Sequence, residues 1–164
     1  MHKLRLVLLV AIAPIILIQG CDSTSNETQP NSGVNLCINL YQSCVEPILT
    51  NPTATGLTCS QSGCHAPPIG QDGFFIHDPA SATPAEQTIN FLAVEARALN
   101  NNLLLSKATG GSGHGGGKQI NVNDFCYNTI AEWQSIVAPT DGSACTATMT
   151  SCASSPVLVS ACGQ

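Results

Sequence analysis

The sequence predicts a small, mainly α-helical domain with irregular loops, stapled by disulfides. Three observations carry this reading. Apolar residues recur at helical spacing in separate stretches that have their own start and stop residues. Nine cysteines occur behind an export signal, so the folded chain meets a compartment in which thiols pair. Aromatic residues make up only 4% of the 164-residue chain, which leaves a thin side-chain core in need of covalent support.

Residues 1–20 read as a targeting signal. A short basic start (His2, Lys3, Arg5) leads into thirteen largely apolar residues, Leu6 to Ile18, too few for a membrane-spanning helix, which takes about 20. The run ends in Ile18-Gln19-Gly20-Cys21. This resembles the lipobox of bacterial lipoproteins, which implies cleavage before Cys21 and lipidation of its sulfur. An ordinary secretory signal cut nearby, with Cys21 left as a thiol, is the alternative. Residues 21–35 are polar with Pro and Gly and read as a lipid-anchored, flexible tether that spans about 20 Å. The expected location is the cell envelope, on a bacterial membrane facing the periplasm or the exterior. Net charge is -5 and the pI is near 5.1, which argues against a nucleic-acid surface.

The domain is expected over 36–139. Leu36 to Leu49 places Cys37, Leu40, Tyr41, Cys44, Val45 and Ile48 on one stripe, with Asn35 as N-cap and Pro47 kinking or ending the helix. Cys37 and Cys44 on one helix lie about 10.5 Å apart, beyond disulfide reach, so each pairs elsewhere. The next helix has the strongest signals: Thr83 as cap, Pro84 in the first turn and Glu86 completing a capping box. It is expected from 84 to about 99, with Ile89, Leu92, Ala93, Ala96 and Leu99 inward. A short apolar run, Leu103 to Leu105, precedes a glycine-rich loop. The last helix is expected after Asn123, with Cys126, Ile130, Trp133 and Val137 inward and Pro139 as its stop. Phe125 and Trp133 are expected in the core. Residues 140–164 have no periodicity and read as a Cys-rich irregular tail packed on the domain by disulfides.

The chemistry centres on Cys59-Ser60-Gln61-Ser62-Gly63-Cys64-His65. Covalent haem attachment needs two cysteine sulfurs for the porphyrin vinyl groups and a histidine directly behind the second as iron ligand. The usual spacing is C-x-x-C-H, whereas here it is C-x4-C-H, with two extra small or flexible residues to bulge outward. The competing reading makes Cys59 and Cys64 half-cystines and His65 a bystander. Parity does not separate the two: beyond Cys21, eight cysteines remain for disulfides, or six (Cys37, Cys44, Cys126, Cys145, Cys152, Cys162) if two hold haem. Six can be wired in 15 ways. Zinc is a poorer fit, because adjacent Cys64 and His65 cannot easily share one tetrahedral ion. Gly113-His114-Gly115-Gly116-Gly117 is no phosphate cradle, since Ser112 and Gln119 stand where the motif needs Gly and Ser or Thr.

In order, the chain reads CVEPIL, CSQSGCH, DGFFI, INFLAV, NLLLSKATGG, GHGGG and a final helix with Trp133. Over residues 41–137 this resembles bacterial lipoproteins with a cytochrome c-like, planctomycete-type haem domain. Their pattern runs P-I-L, C-x-x-C-H, G-G-F, S-L-L-L-x-K-A-x-G, H-G-G-G and W-I; here Asp72 and Gln134 depart from it. The resemblance implies one haem c held by Cys59 and Cys64, with His65 as proximal ligand. In such domains a methionine commonly lies before the final helix, and His114 stands in that place. It is therefore the expected second ligand, ahead of His77 and Met149. The fold would cross the first and last helices and so pair Cys44 with Cys126, leaving Cys145–Cys152 and Cys37–Cys162. The expected function is one-electron transfer to a redox partner protein in the envelope, not catalysis. A haem-free, disulfide-stapled interaction module is the alternative, and a haem enzyme or gas sensor requires an open iron.

Overall fold

The computed structural model describes residues 35–68, 70–111, 113–141 and 143–164. The expected signal, Cys21 and nearly all of the tether lie outside them. Among the described residues there are helices, turns and one isolated antiparallel bridge, Leu36 to Val137, but no strand. No helix among them is long and apolar enough to cross a membrane.

The first helical run has three parts: α1 (Ile38–Leu40), a π turn (Tyr41–Val45) and α2 (Glu46–Thr50). Pro47 neither ends nor breaks it. A proline ring crowds the carbonyl four residues back and removes a donor, and widening the preceding turn accommodates both effects, with the Glu46 N–H reaching back five residues to Tyr41 O. The N-cap is Cys37 rather than Asn35, and it offers no side-chain hydrogen bond. Asn35 instead uses its backbone carbonyl to accept the Ala138 N–H at 2.7 Å.

Helix α3 (Pro84–Leu99) has the expected ends and the full capping box between Thr83 and Glu86. Its buried face is only partly the expected one: Ala96 is buried, and Ala93 and Leu99 pack against the core. Ile89 and Leu92 are about half exposed, at 47% and 49%, while Asn90, Phe91, Val94, Glu95, Ala96 and Ala98 face inward. The rotation follows from two polar side chains that meet backbone needs. Asn90 accepts the His77 N–H at 2.7 Å and donates to the His77 carbonyl at 2.8 Å, and Glu95 accepts the Leu36 N–H at 2.5 Å. Asn101 and Asn102 turn the chain in left-handed conformation, which Asn tolerates better than most residues, and α4 (Leu103–Ala108) follows.

Helix α5 (Phe125–Gln134) is capped by Asp124, which accepts the Tyr127 N–H. It ends five residues before Pro139, because the chain leaves it to make the Leu36–Val137 bridge. Val137 is accordingly 55% exposed, and Phe125, at 39%, is no core residue. Trp133 is fully buried and donates its indole N–H to Cys37 O at 3.0 Å. Tyr41 lies 5.7 Å from both Phe91 and Trp133. Edge-on and tilted pairs of this kind add about 0.5–1.5 kcal/mol each beyond their burial. These rings join the first run, α3 and α5.

The tail is irregular apart from α6 (Pro156–Val159), and every described disulfide ends in it: Cys37–Cys145, Cys44–Cys152 and Cys126–Cys162. All three expected pairings are therefore corrected. Cys44 and Cys126 do not meet; each bonds the tail. The Cys145 to Cys152 segment runs alongside the first helical run and bonds it at both ends instead of closing on itself. The Glu132 carboxylate adds a polar clasp, accepting the Thr150 and Ser151 N–H groups at 2.7 and 2.8 Å.

Candidate haem site

The loop from Thr58 to Ala66 is wound tightly. Gln61 N–H donates to Thr58 O, Cys64 N–H to Gln61 O, and His65 N–H back to Cys59 O at 3.1 Å. The Gln61 side chain closes the first turn by accepting the Thr58 N–H at 3.2 Å. The four residues between the cysteines are thus taken up in turns, and Gly63 at φ +86° supplies the left-handed step. His65 is then fixed by the segment that follows. Its carbonyl accepts the Ile76 N–H at 2.8 Å, and its Nδ1 lies 3.2 Å from Phe74 O. The Phe74 ring meets the imidazole at 4.6 Å, and the Arg97 guanidinium sits over the Phe74 ring at 5.3 Å.

His114 is held in the same way by its own loop. Its N–H donates to Gly111 O, its carbonyl accepts the Gly117 N–H, and its Nδ1 lies 3.0 Å from Gly117 O. Gly113 and Gly117 both have positive φ, so the glycines serve the turn geometry around this histidine. A carbonyl oxygen only accepts, so in each ring Nδ1 is the donor. That is the usual second-shell arrangement of a metal-binding histidine.

The structure brings these two histidines together. Their ring planes are parallel (0°) and their centroids are 6.2 Å apart. The two rings stack across a crevice. Leu57, Cys59, Cys64, Gln119 and both histidines line a single crevice. Among the described residues no group of three or more His, Cys, Asp or Glu is arranged around a metal. Two histidines and a cysteine pair are the residue types that a covalently held haem would use.

The two cysteines differ in state. Cys59 is a free thiol, and burial pushes its pKa up to about 11, so it is neutral at ordinary pH. Cys64 stands in a disulfide separate from the three described. His77 turns elsewhere, with its Nδ1 3.3 Å from Glu86 Oε1, and Met149 packs against the core; neither lines the crevice. Sequence reasoning did not find the Phe74 and Gly117 carbonyls, because backbone acceptors carry no residue signature. It considered Gln119 only as a misfit to a phosphate motif.

No protein-family model, curated protein or solved structure matches the chain.

Proposed function

We propose that the protein is an envelope c-type cytochrome: a one-electron carrier with one covalently bound haem, anchored by lipid at Cys21. The observation that carries this reading is the pair of parallel imidazoles, His65 and His114, each with Nδ1 bonded to a backbone carbonyl, in one crevice with Cys59 and Cys64. Cys59 and Cys64 would hold the haem, each S–H adding across one vinyl double bond with the proton going to the neighbouring carbon. Cys64 must first be released from its disulfide by a thiol reductant of the envelope. The haem supplies a one-electron iron couple. His65 and His114 would each offer it an imidazole nitrogen, which would close the iron to small ligands and favour transfer over catalysis. Two imidazoles also give a lower potential than an imidazole and a thioether at similar burial.

The disulfide at Cys64 favours one rival, a haem-free module held by disulfides that binds another envelope component. Visible spectroscopy and acid-acetone extraction, on protein made in a host with c-type maturation machinery, separate the two. Thioether-bound haem stays with the polypeptide; a colourless product means the rival. His114→Ala is expected to turn the iron high-spin and open it to carbon monoxide, whereas His77→Ala leaves it low-spin.

A further inference from the structure

The two ligand loops are far apart in sequence, and something must hold them at a fixed spacing. Gln119 touches both. Its side chain is buried, at 6% exposure, and it lines the crevice. Its Nε2 donates to Gly116 O at 2.7 Å, inside the loop that carries His114. Its Oε1 accepts the Thr55 hydroxyl at 2.9 Å, in the turn that leads into Cys59 and His65. That turn is firmly seated. The Thr53 and Thr55 hydroxyls are 2.9 Å apart, Thr53 N–H donates to Leu57 O, and Ala54 N–H donates to Cys162 O.

The Gln119 backbone is fixed as well. Its N–H and that of Ile120 both donate to Ala108 O at the end of α4, at 2.8 and 3.1 Å. On the other side Gly163 closes in so tightly that a Cβ there would lie 2.5 Å from Gln119 O. A primary amide can donate to a carbonyl at one oxygen-lined wall while accepting a hydroxyl at the other. A carboxylate in its place would face the Gly116 carbonyl without a proton to give.

We infer that Gln119 is a positioning residue that clamps the His114 loop to the Cys59–His65 turn and so sets the distance between the two imidazoles. The inference rests on the haem reading above. It would assign the closure of the iron partly to a side chain that is not itself a ligand. Thr55 is the other half of the clamp.

The test compares the holoprotein with Gln119→Met, which keeps length and volume but no side-chain hydrogen bonds, and with Thr55→Val, which removes the far partner together with that hydroxyl's bonds to Thr53 and the Leu57 N–H. Both variants are expected to keep covalent haem and to gain a high-spin ferric fraction that added imidazole returns to low spin. Carbon monoxide should enter the ferrous Gln119→Met protein about tenfold faster, the scale set by two lost hydrogen bonds, and the Thr55→Val protein faster by a smaller factor. Amide exchange at Gly117 should quicken in parallel. Wild-type spectra, carbon monoxide rates and Gly117 exchange in both variants would overturn the inference. A colourless wild type would overturn the haem reading instead, and the exchange measurement would still decide whether Gln119 holds the loop.

Discussion

Glu46 is a carboxyl group inside the core, 6% exposed, with Asn90 Nδ2 donating to it at 3.2 Å and the buried Tyr41 hydroxyl beside it without a well-formed hydrogen bond. No cation is paired with it among the described contacts. Burial raises its pKa, against the opposing pull of Asn90 and Tyr41, and burial likewise raises that of Tyr41. The consequence for stability has a definite sign. A free glutamate has a pKa near about 4.3. Below that value Glu46 is neutral in the folded and the unfolded chain, and it costs little. As pH climbs through the folded pKa, the unfolded chain has already ionised freely while the folded chain must bury a charge, so stability is lost. Glu46→Gln keeps an acceptor for Asn90 and cannot ionise. Thermal melts should therefore match the wild type near pH 4 and lie above it at pH 8. Equal melting temperatures at both pH values would mean that Glu46 titrates alike in the folded and unfolded chains.

At the scale of elements, the start of α3 shows how local chemistry can be legible while orientation is not. Thr83 Oγ1 accepts the Glu86 N–H at 3.3 Å, and the Glu86 carboxylate accepts the Thr83 N–H at 2.7 Å. This reciprocal pair holds the Glu86 pKa below the usual range and fixes the helix start without help from the rest of the fold, which is why it can be read from four residues. Thr83→Ala should cost about 0.5–2 kcal/mol in urea unfolding, with Thr83→Ser near the wild type. The buried face of α3 was only partly legible. Hydrophobicity pointed to Ile89 and Leu92, but Asn90 and Glu95 turn inward to meet the backbone groups of His77 and Leu36, and no periodicity rule anticipates a buried amide that closes a loop's hydrogen bonds. The π turn before Pro47 was missed for a similar reason, since a proline signals a break and the alternative of a wider turn depends on what packs around it.

At the scale of the molecule, the cysteine pair marked His65 as a candidate and the resemblance marked His114; their stacking and the hydrogen bonds of Gln119 depend on distant contacts and were not legible. The disulfide wiring was within reach. Cys37 and Cys44 are seven residues apart, as are Cys145 and Cys152, and two equal intervals running side by side can bond at both ends. This arrangement makes the two bonds interdependent. Each alone closes a loop of 108 residues, worth about 4.7 kcal/mol of unfolded-state entropy, but with its neighbour intact the second closes a ring of only about 15 residues, worth about 3 kcal/mol. Replacing either pair by alanine should therefore cost about 3 kcal/mol. Replacing both should cost about 1.5–2 kcal/mol more than the two single losses together, the opposite of redundancy being expected only if strain dominates. The Cys126–Cys162 bond, closing 36 residues elsewhere on the tail, serves as the control, since its removal should add to either single loss without coupling. Urea unfolding of the four proteins in the cycle measures the coupling directly, and simple additivity would show that the unfolded chain keeps the tail near the first helix even without the bonds.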